Sequence, residues 1–330
     1  MIFHTPIMAM LLASSLSVAV MLWAAWFALQ VVRHWDVSSG HARQLIMERR
    51  TYLVSTALVF VMVLELASLM LFVFNADKMA VMFVGAMCAV GTFNMNAYGM
   101  PALLLKVAVF FGASVWLLVN HADGKGRDYP FTRFKYAFLL GLAPLVVAAA
   151  AVQLAYFLNL DADVITSCCS KLFAPETTGI EAQMSAAPPG LALGMLFGGL
   201  ALMLVLATLL RGRARGLYGL AALGFFAASL VAIISVVSSY IYEQPHHHCP
   251  FCILKPEYDY IGYLLYLPLF GGLSLALAAG LLSLLPMPAS LRDTLPAMIR
   301  TSTAASAALF AAFGLLCLWI IWRSNLMLFY

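Results

Sequence analysis

Long apolar stretches separated by short polar ones dominate the chain. A helix needs roughly 20 apolar residues to cross about 30 Å of hydrocarbon. Eight stretches meet that length: residues 5–32, 52–74, 101–119, 136–160, 190–210, 217–242, 260–285 and 302–322. A ninth apolar run, 79–93, is shorter and rich in Gly and Ala. The pattern predicts an all-α, polytopic membrane helix bundle of about eight transmembrane helices. The longest stretch between spans, 161–189, is too short to bury a core of its own and ends in Ala-Ala-Pro-Pro-Gly, a breaker ahead of the fifth span. The whole chain, 1–330, therefore reads as one membrane domain. The segment Asp36–Arg50 reads as a short amphipathic helix on the membrane surface.

Lys and Arg decide which way the spans run. With eight spans, one side holds the basic residues of the 33–50, 125–135, 211–215 and 292–300 stretches, thirteen in all. The other side holds only Lys78, Lys171, Lys255 and Arg323. Cytoplasmic loops are the basic ones, so both termini are expected on the extracytoplasmic side. Counting 79–93 as a span would move the Lys125–Lys135 cluster outside and spoil the bias. That run, with its flank to residue 95, is therefore expected to be re-entrant, dipping in from the outer face. The acids sort the same way, giving a net charge of +8 inside and −4 outside, which sum to the formal +4. The first apolar stretch has no Lys or Arg before it and exceeds the apolar core of a cleavable signal peptide, so it is expected to remain as an anchor.

Composition adds exclusions. With 64% apolar and 10% charged residues, the chain lies far from soluble globular domains. The lipid bilayer is the expected environment, most simply a bacterial or archaeal cytoplasmic membrane. Its basic loops read as topology signals, and no nucleic acid is expected as a partner. No phosphate loop, dinucleotide fingerprint, zincin helix or Ser/His/Asp arrangement is present. A weak echo links the halves 1–160 and 190–330, joined by the 161–189 loop. In each half a cysteine is followed by a Tyr and Gly and then the next span, Cys88 in the first and Cys252 in the second. Such an echo suggests a four-plus-four parallel repeat.

Chemistry enters with the cysteines. Of six, five fall on or near the predicted outer face: Cys88, Cys168, Cys169, Cys249 and Cys252. Cys317 lies inside a span and reads as a small core residue. Cys249-Pro-Phe-Cys252 is a C-x-x-C preceded directly by His246, His247 and His248. Two thiols at that spacing close a small ring, and an adjacent imidazolium raises a thiol's thiolate fraction. Cys249, beside His248, is thus the better candidate for attack. The same run, His246 to Cys249 and Cys252, is also a candidate soft-metal site, because Cys and His are the usual ligands of zinc and copper. Cys168–Cys169 is a vicinal pair, and adjacent cysteines bond to each other only through a strained ring. Cys88 lies among Met82, Met87 and Met95.

Three readings follow. The leading one is thiol–disulfide exchange with a thioredoxin-like protein outside, using Cys249, Cys252, Cys168, Cys169 and Cys88 as the catalytic thiols. The second is soft-metal binding or transport of copper or zinc. The third is a non-enzymatic membrane subunit with stapled loops. In its arrangement the first is similar to the DsbB and vitamin K epoxide reductase families, where a C-x-x-C and a second cysteine pair sit at outer helix ends. The likeness touches only the two cysteine loops, and it implies a quinone as electron carrier. Tyr258, Tyr260, Tyr263 and Tyr266 crowd the start of span seven, as an interfacial aromatic belt or as a quinone or docking groove.

Two charges belong to neither face. Glu65 and Lys106 fall on consecutive antiparallel spans, each roughly 12–14 Å deep by helical rise. An unpaired charge at that depth is costly, so the two are expected to pair, as a structural tie or as part of a proton or ion relay.

Overall fold

A computed structural model of the chain describes residues 4–36, 41–161 and 184–328. All regular structure among them is helical. Among the described residues, eight helices are long and apolar enough to cross a membrane. They are α1 (Thr5–His34), α2 (Ala42–Met79), α4 (Gly99–Asp123), α5 (Thr132–Leu158), α6 (Pro189–Leu209), the α7–α8 rod, α9 (Ile261–Leu284) and α10 (Leu295–Arg323). The short α3 spans Ala89–Phe93. In the α7–α8 rod, α7 (Arg215–Ala232) runs through a π-helical turn, Ile233–Val237, into α8 (Ser238–Tyr242).

One expectation needs correcting. No separate surface helix follows Asp36: residues 42–50 are the first turns of α2, which has no Pro or Gly to break it before Met79. The 79–93 run, expected to be re-entrant, forms no long helix of its own and doubles back. It is the end of α2, a 3-10 turn at Ala80–Met82, a bend at Gly85 with φ +84°, and then α3. A positive φ is cheap only for glycine, so Gly85 is what lets the chain double back here.

The chain divides into two compact units. The first comprises Met1–Asn75, Met95–Asp161 and Pro286–Met298. Its core joins Met21 and Phe27 of α1, Leu58 and Met62 of α2, Ala113 and Trp116 of α4, and Tyr136 and Leu139 of α5. In an apolar solvent helices are held by packing and by polar groups that meet. Here Trp116 Nε1 donates to the Lys135 carbonyl at 3.1 Å, and the Tyr136 hydroxyl lies 3.1 Å from that of Ser55. Where α4 turns into α5, Lys135 forms an ion pair with the fully buried Asp123 at 2.7 Å. The Asp123 carboxylate also accepts from Phe131 N and Thr132 Oγ1, so both buried charges are satisfied.

The second unit comprises Ala76–Asn94, Ala162–Leu285 and Ile299–Tyr330. Small residues bring its backbones together. A Cβ on Gly219 of α7 would stand 3.1 Å from the Ala276 carbonyl and 3.4 Å from Gly280 Cα of α9. Phe225 and Phe310 meet edge-on at 4.9 Å, and Tyr218 donates to Ser306, whose own hydroxyl donates to the Gly272 carbonyl. The segment 76–94 belongs to this unit although the helices on either side of it belong mainly to the first. Cys88 travels with that segment.

Candidate functional site: a buried cluster of three thiols

Cys249 and Cys252 lie in the connection between α8 and α9. Its ends are sharp: Glu243, which closes α8, and Asp259 and Tyr260, which precede α9, all have φ between +52° and +54°. Left-handed backbone at non-glycine residues is uncommon and held by its surroundings. Between these corners the chain forms two 3-10 turns, Cys252–Leu254 and Pro256–Tyr258. Two tyrosine hydroxyls cap the C-x-x-C backbone. Tyr242 donates to the Cys249 carbonyl, and Tyr266 donates to the Pro250 carbonyl at 2.9 Å. Beneath the turn Gly262 leaves no room for a side chain, since a Cβ would lie 2.8 Å from both Ile253 and Leu254.

Cys88 arrives from the other segment of the unit. It is the residue before α3, in extended conformation (φ −156°). Thr92 Oγ1 anchors α3 by donating to the Ala76 carbonyl at 2.8 Å, and Phe93 meets Phe251 edge-on at 5.9 Å. Gly91 permits the hairpin to close, because a Cβ there would come within 2.8 Å of Ala86 Cα.

These two scaffolds bring three sulfurs together. Cys88 Sγ lies 3.6 Å from Cys249 Sγ. All three sulfurs, with Cys252, lie within 4.8 Å of one another. Cys88 and Cys249 are 0% exposed and Cys252 is 6% exposed, amid the buried Ala89, Val90, Phe93, Ile253 and Leu254. The 3.6 Å separation is far longer than the about 2.05 Å of a disulfide.

The three histidines divide. His246 is exposed. His247 lays its ring on that of Tyr242, centroids 4.1 Å apart, with Nε2 buried and lacking a hydrogen-bond partner. His248 Nδ1 faces the Ile234 carbonyl at 3.1 Å and Ser239 Oγ at 3.2 Å. A carbonyl only accepts, so Nδ1 carries the proton. Burial pushes His248 below the ordinary imidazole range, with His246 and His247 nearby acting in the same direction. The charged imidazolium that adjacency to Cys249 suggested is therefore disfavoured. None of the three histidines belongs to the group of ligand atoms within 4.8 Å that the cysteines form.

Cys168 and Cys169 lie outside the described residues. Cys317 is fully buried in α10. Of the four tyrosines before and in α9, Tyr266 caps the C-x-x-C and Tyr258 packs on Tyr242 at 4.6 Å. Tyr258 also lines a cavity of about 490 Å³ with Tyr240, Glu243, Trp319 and Arg323.

Glu65 and Lys106 are both buried in the first unit, at 6% and 3% exposure. Lys106 Nζ donates to Ser68 Oγ at 2.7 Å, and the Glu65 carboxylate acts on it electrostatically. Ser68 is one turn beyond Glu65 on α2, so both the hydroxyl and the carboxylate serve the Lys106 ammonium. Gln153 is likewise engaged, accepting from Ser14 at 3.3 Å.

Sequence reasoning missed Tyr242, Ser239 and the Ile234 carbonyl. A signal existed in the hydroxyl-rich run Ser235–Tyr242 inside an otherwise apolar span. It coincides with the π turn, a feature frequent at functional sites. Compared with protein families, with curated proteins and with solved structures, the chain matches none.

Proposed function

We propose that this integral membrane protein binds a soft metal ion, copper or zinc, through Cys88, Cys249 and Cys252 at its extracytoplasmic face. One observation carries the reading: three thiols from two distant segments converge to within 4.8 Å, with Cys88 and Cys249 3.6 Å apart. Thiolates bound to one ion at about 2.3 Å stand roughly 4 Å apart, which a 3.6 Å pair within a 4.8 Å limit accommodates. Burial points the same way. A thioredoxin-like protein must bring its own sulfur onto the thiol it attacks, and these thiols offer almost no surface for that approach.

The test is reconstitution of purified protein in detergent, under a thiol-free reductant, followed by elemental analysis. The expected result is one ion per chain, with retention falling at least about tenfold in Cys88→Ser, Cys249→Ser and Cys252→Ser alike. Retention that ignores Cys88 would refute the reading.

A second reading, thiol–disulfide exchange with electrons passed to a membrane carrier such as a quinone, is favoured by the 3.6 Å between Cys88 and Cys249. Small side-chain rotations would bring that pair to bonding distance. It predicts that a mild dithiol reductant changes the number of thiols open to mass-tagging in the metal-free protein. A constant count would exclude it.

A further inference from the structure

We propose that the cavity where α8, α9 and α10 meet binds the headgroup of a zwitterionic phospholipid with a primary ammonium, the ethanolamine type. The proposal is independent of the thiols and lies within the second unit. The cavity measures about 490 Å³, inside the roughly 300–1,000 Å³ of ordinary ligand sites. It lies where three membrane-length stretches end: α8 closes at Tyr242, α9 starts at Ile261 and α10 stops at Arg323. Such helix ends sit at the headgroup level of a bilayer. One wall of the cavity is apolar, formed by Ile261, Leu264 and Ile320. Leu264, Trp319 and the neighbouring Trp322 face outward at 57%, 43% and 82% exposure. Tryptophans at this depth belong to the membrane interface, so a phospholipid can enter headgroup first with its chains against these residues.

The other wall carries charge of both signs. Arg323 enters from α10, its guanidinium carbon 5.3 Å from the Trp319 ring centroid, a contact that orients it. Glu257 and Asp259 enter from the turn ahead of α9. Glu243 also lines the cavity but is engaged in structure, accepting from the backbone and side-chain amides of Asn325 at 3.1 Å each. With Ser324 Oγ, which donates to the Tyr240 carbonyl at 2.9 Å, it ties the chain after α10 to α8 and frames the cavity. A guanidinium matches a phosphate, and carboxylates accept from ammonium N–H groups. An anionic headgroup would suit Arg323 alone and meet two like charges. A quaternary ammonium has no N–H for the carboxylates, and the aromatic faces that hold such groups are in use here: Trp319 carries Arg323, and Tyr258 packs on Tyr242 at 4.6 Å. A primary ammonium on a phosphodiester answers both charges.

The test is native mass spectrometry of the full chain, delipidated in detergent. It is titrated with ethanolamine, choline and glycerol phospholipids of identical chains, and with chain-free glycerophosphoethanolamine. The ethanolamine lipid should bind at least about tenfold more tightly than either other lipid, the worth of one charge-assisted hydrogen bond. The chain-free headgroup should bind at least about tenfold more weakly than the lipid, for lack of apolar contact. Arg323→Gln should weaken the ethanolamine and choline lipids alike, by about tenfold. Glu257→Gln with Asp259→Asn should erase the preference for ethanolamine while sparing the choline lipid; asparagine tolerates the left-handed backbone at Asp259. The ratios from the unaltered chain decide by themselves if a variant does not fold. Equal binding of ethanolamine and choline lipids, tighter binding of the glycerol lipid, or a preference that survives the double substitution would overturn the proposal. A chain-free headgroup bound as tightly as the lipid would overturn the lipid in favour of a soluble phosphoamine.

Discussion

At the scale of single residues, the Tyr242 hydroxyl and His248 set the surroundings of the thiols without touching a sulfur in any recorded hydrogen bond. Tyr242→Phe would leave the Cys249 carbonyl without its donor in a dry setting. An orphaned buried acceptor costs about 1–3 kcal/mol, and the loss should appear as a lower thermal midpoint together with weaker ion retention. Tyr240, on the same helix end but without that bond, is the comparison residue. His248 carries a pH prediction for the metal-free protein. Burial holds its imidazole below the ordinary range, so the unfolded chain takes up the proton first. Stability from the neutral ring is complete above about pH 6.5, the free imidazole value, and is lost as pH falls through and below it. The thermal midpoint should therefore be lower at pH 5.5 than at pH 7.5, with the gap narrowed in His248→Gln. A gap unchanged by the substitution would assign the effect elsewhere.

At the scale of elements, glycines decide whether two segments meet closely enough to form the cluster. Gly91→Ala drives a Cβ against backbone, which cannot yield as a flexible side chain can. Overpacking of this kind costs about 1–3 kcal/mol, enough to displace Cys88 and weaken ion retention about tenfold. Gly141→Ala is the control, because a Cβ there meets nothing within 4 Å. Retention equal in the two variants would mean that the α3 hairpin does not position Cys88. The α4–α5 corner supplies a stability test in the first unit. Asp123→Asn leaves Lys135 buried without its counter-ion, a loss of about 3–5 kcal/mol, whereas Asp123→Asn with Lys135→Met removes both charges and should recover much of it. Denaturation in detergent measures the difference, and equal losses would deny the pair its role.

The helices themselves were largely legible beforehand, and their limits show why. Span positions follow from transfer of apolar residues out of water, a sum taken over about 20 neighbours along the chain. The misread points were local. The 42–50 stretch looked amphipathic, yet no breaker separated it from the span, and it joined α2. Ser68 joins Glu65 at Lys106, a contact that a pairing rule counting charges overlooks because it ignores hydroxyls one turn away. Adjacency of His248 to Cys249 in sequence likewise says nothing about burial or about the Ile234 carbonyl that orients the ring.

At the scale of the whole molecule, the sequence by itself determined the class of protein, the number of long apolar helices and the cysteines worth attention. These are sums or lists along the chain, and the energies behind them are local. Only the tertiary structure decided that Cys88 joins Cys249 across 161 positions and that the group of ligand atoms within 4.8 Å of one another holds these thiols and none of the neighbouring histidines. Helices such as α9 are apolar along nearly their whole length. Hydropathy therefore gives them no preferred face, and the choice of neighbour falls to shape. It is made where Gly219 meets Gly280, where Gly262 lies under Ile253, and where Gly91 closes on Ala86. Close packing between side chains and backbones distant in sequence leaves no periodic mark on either segment, which is why the third thiol became visible only in the folded chain.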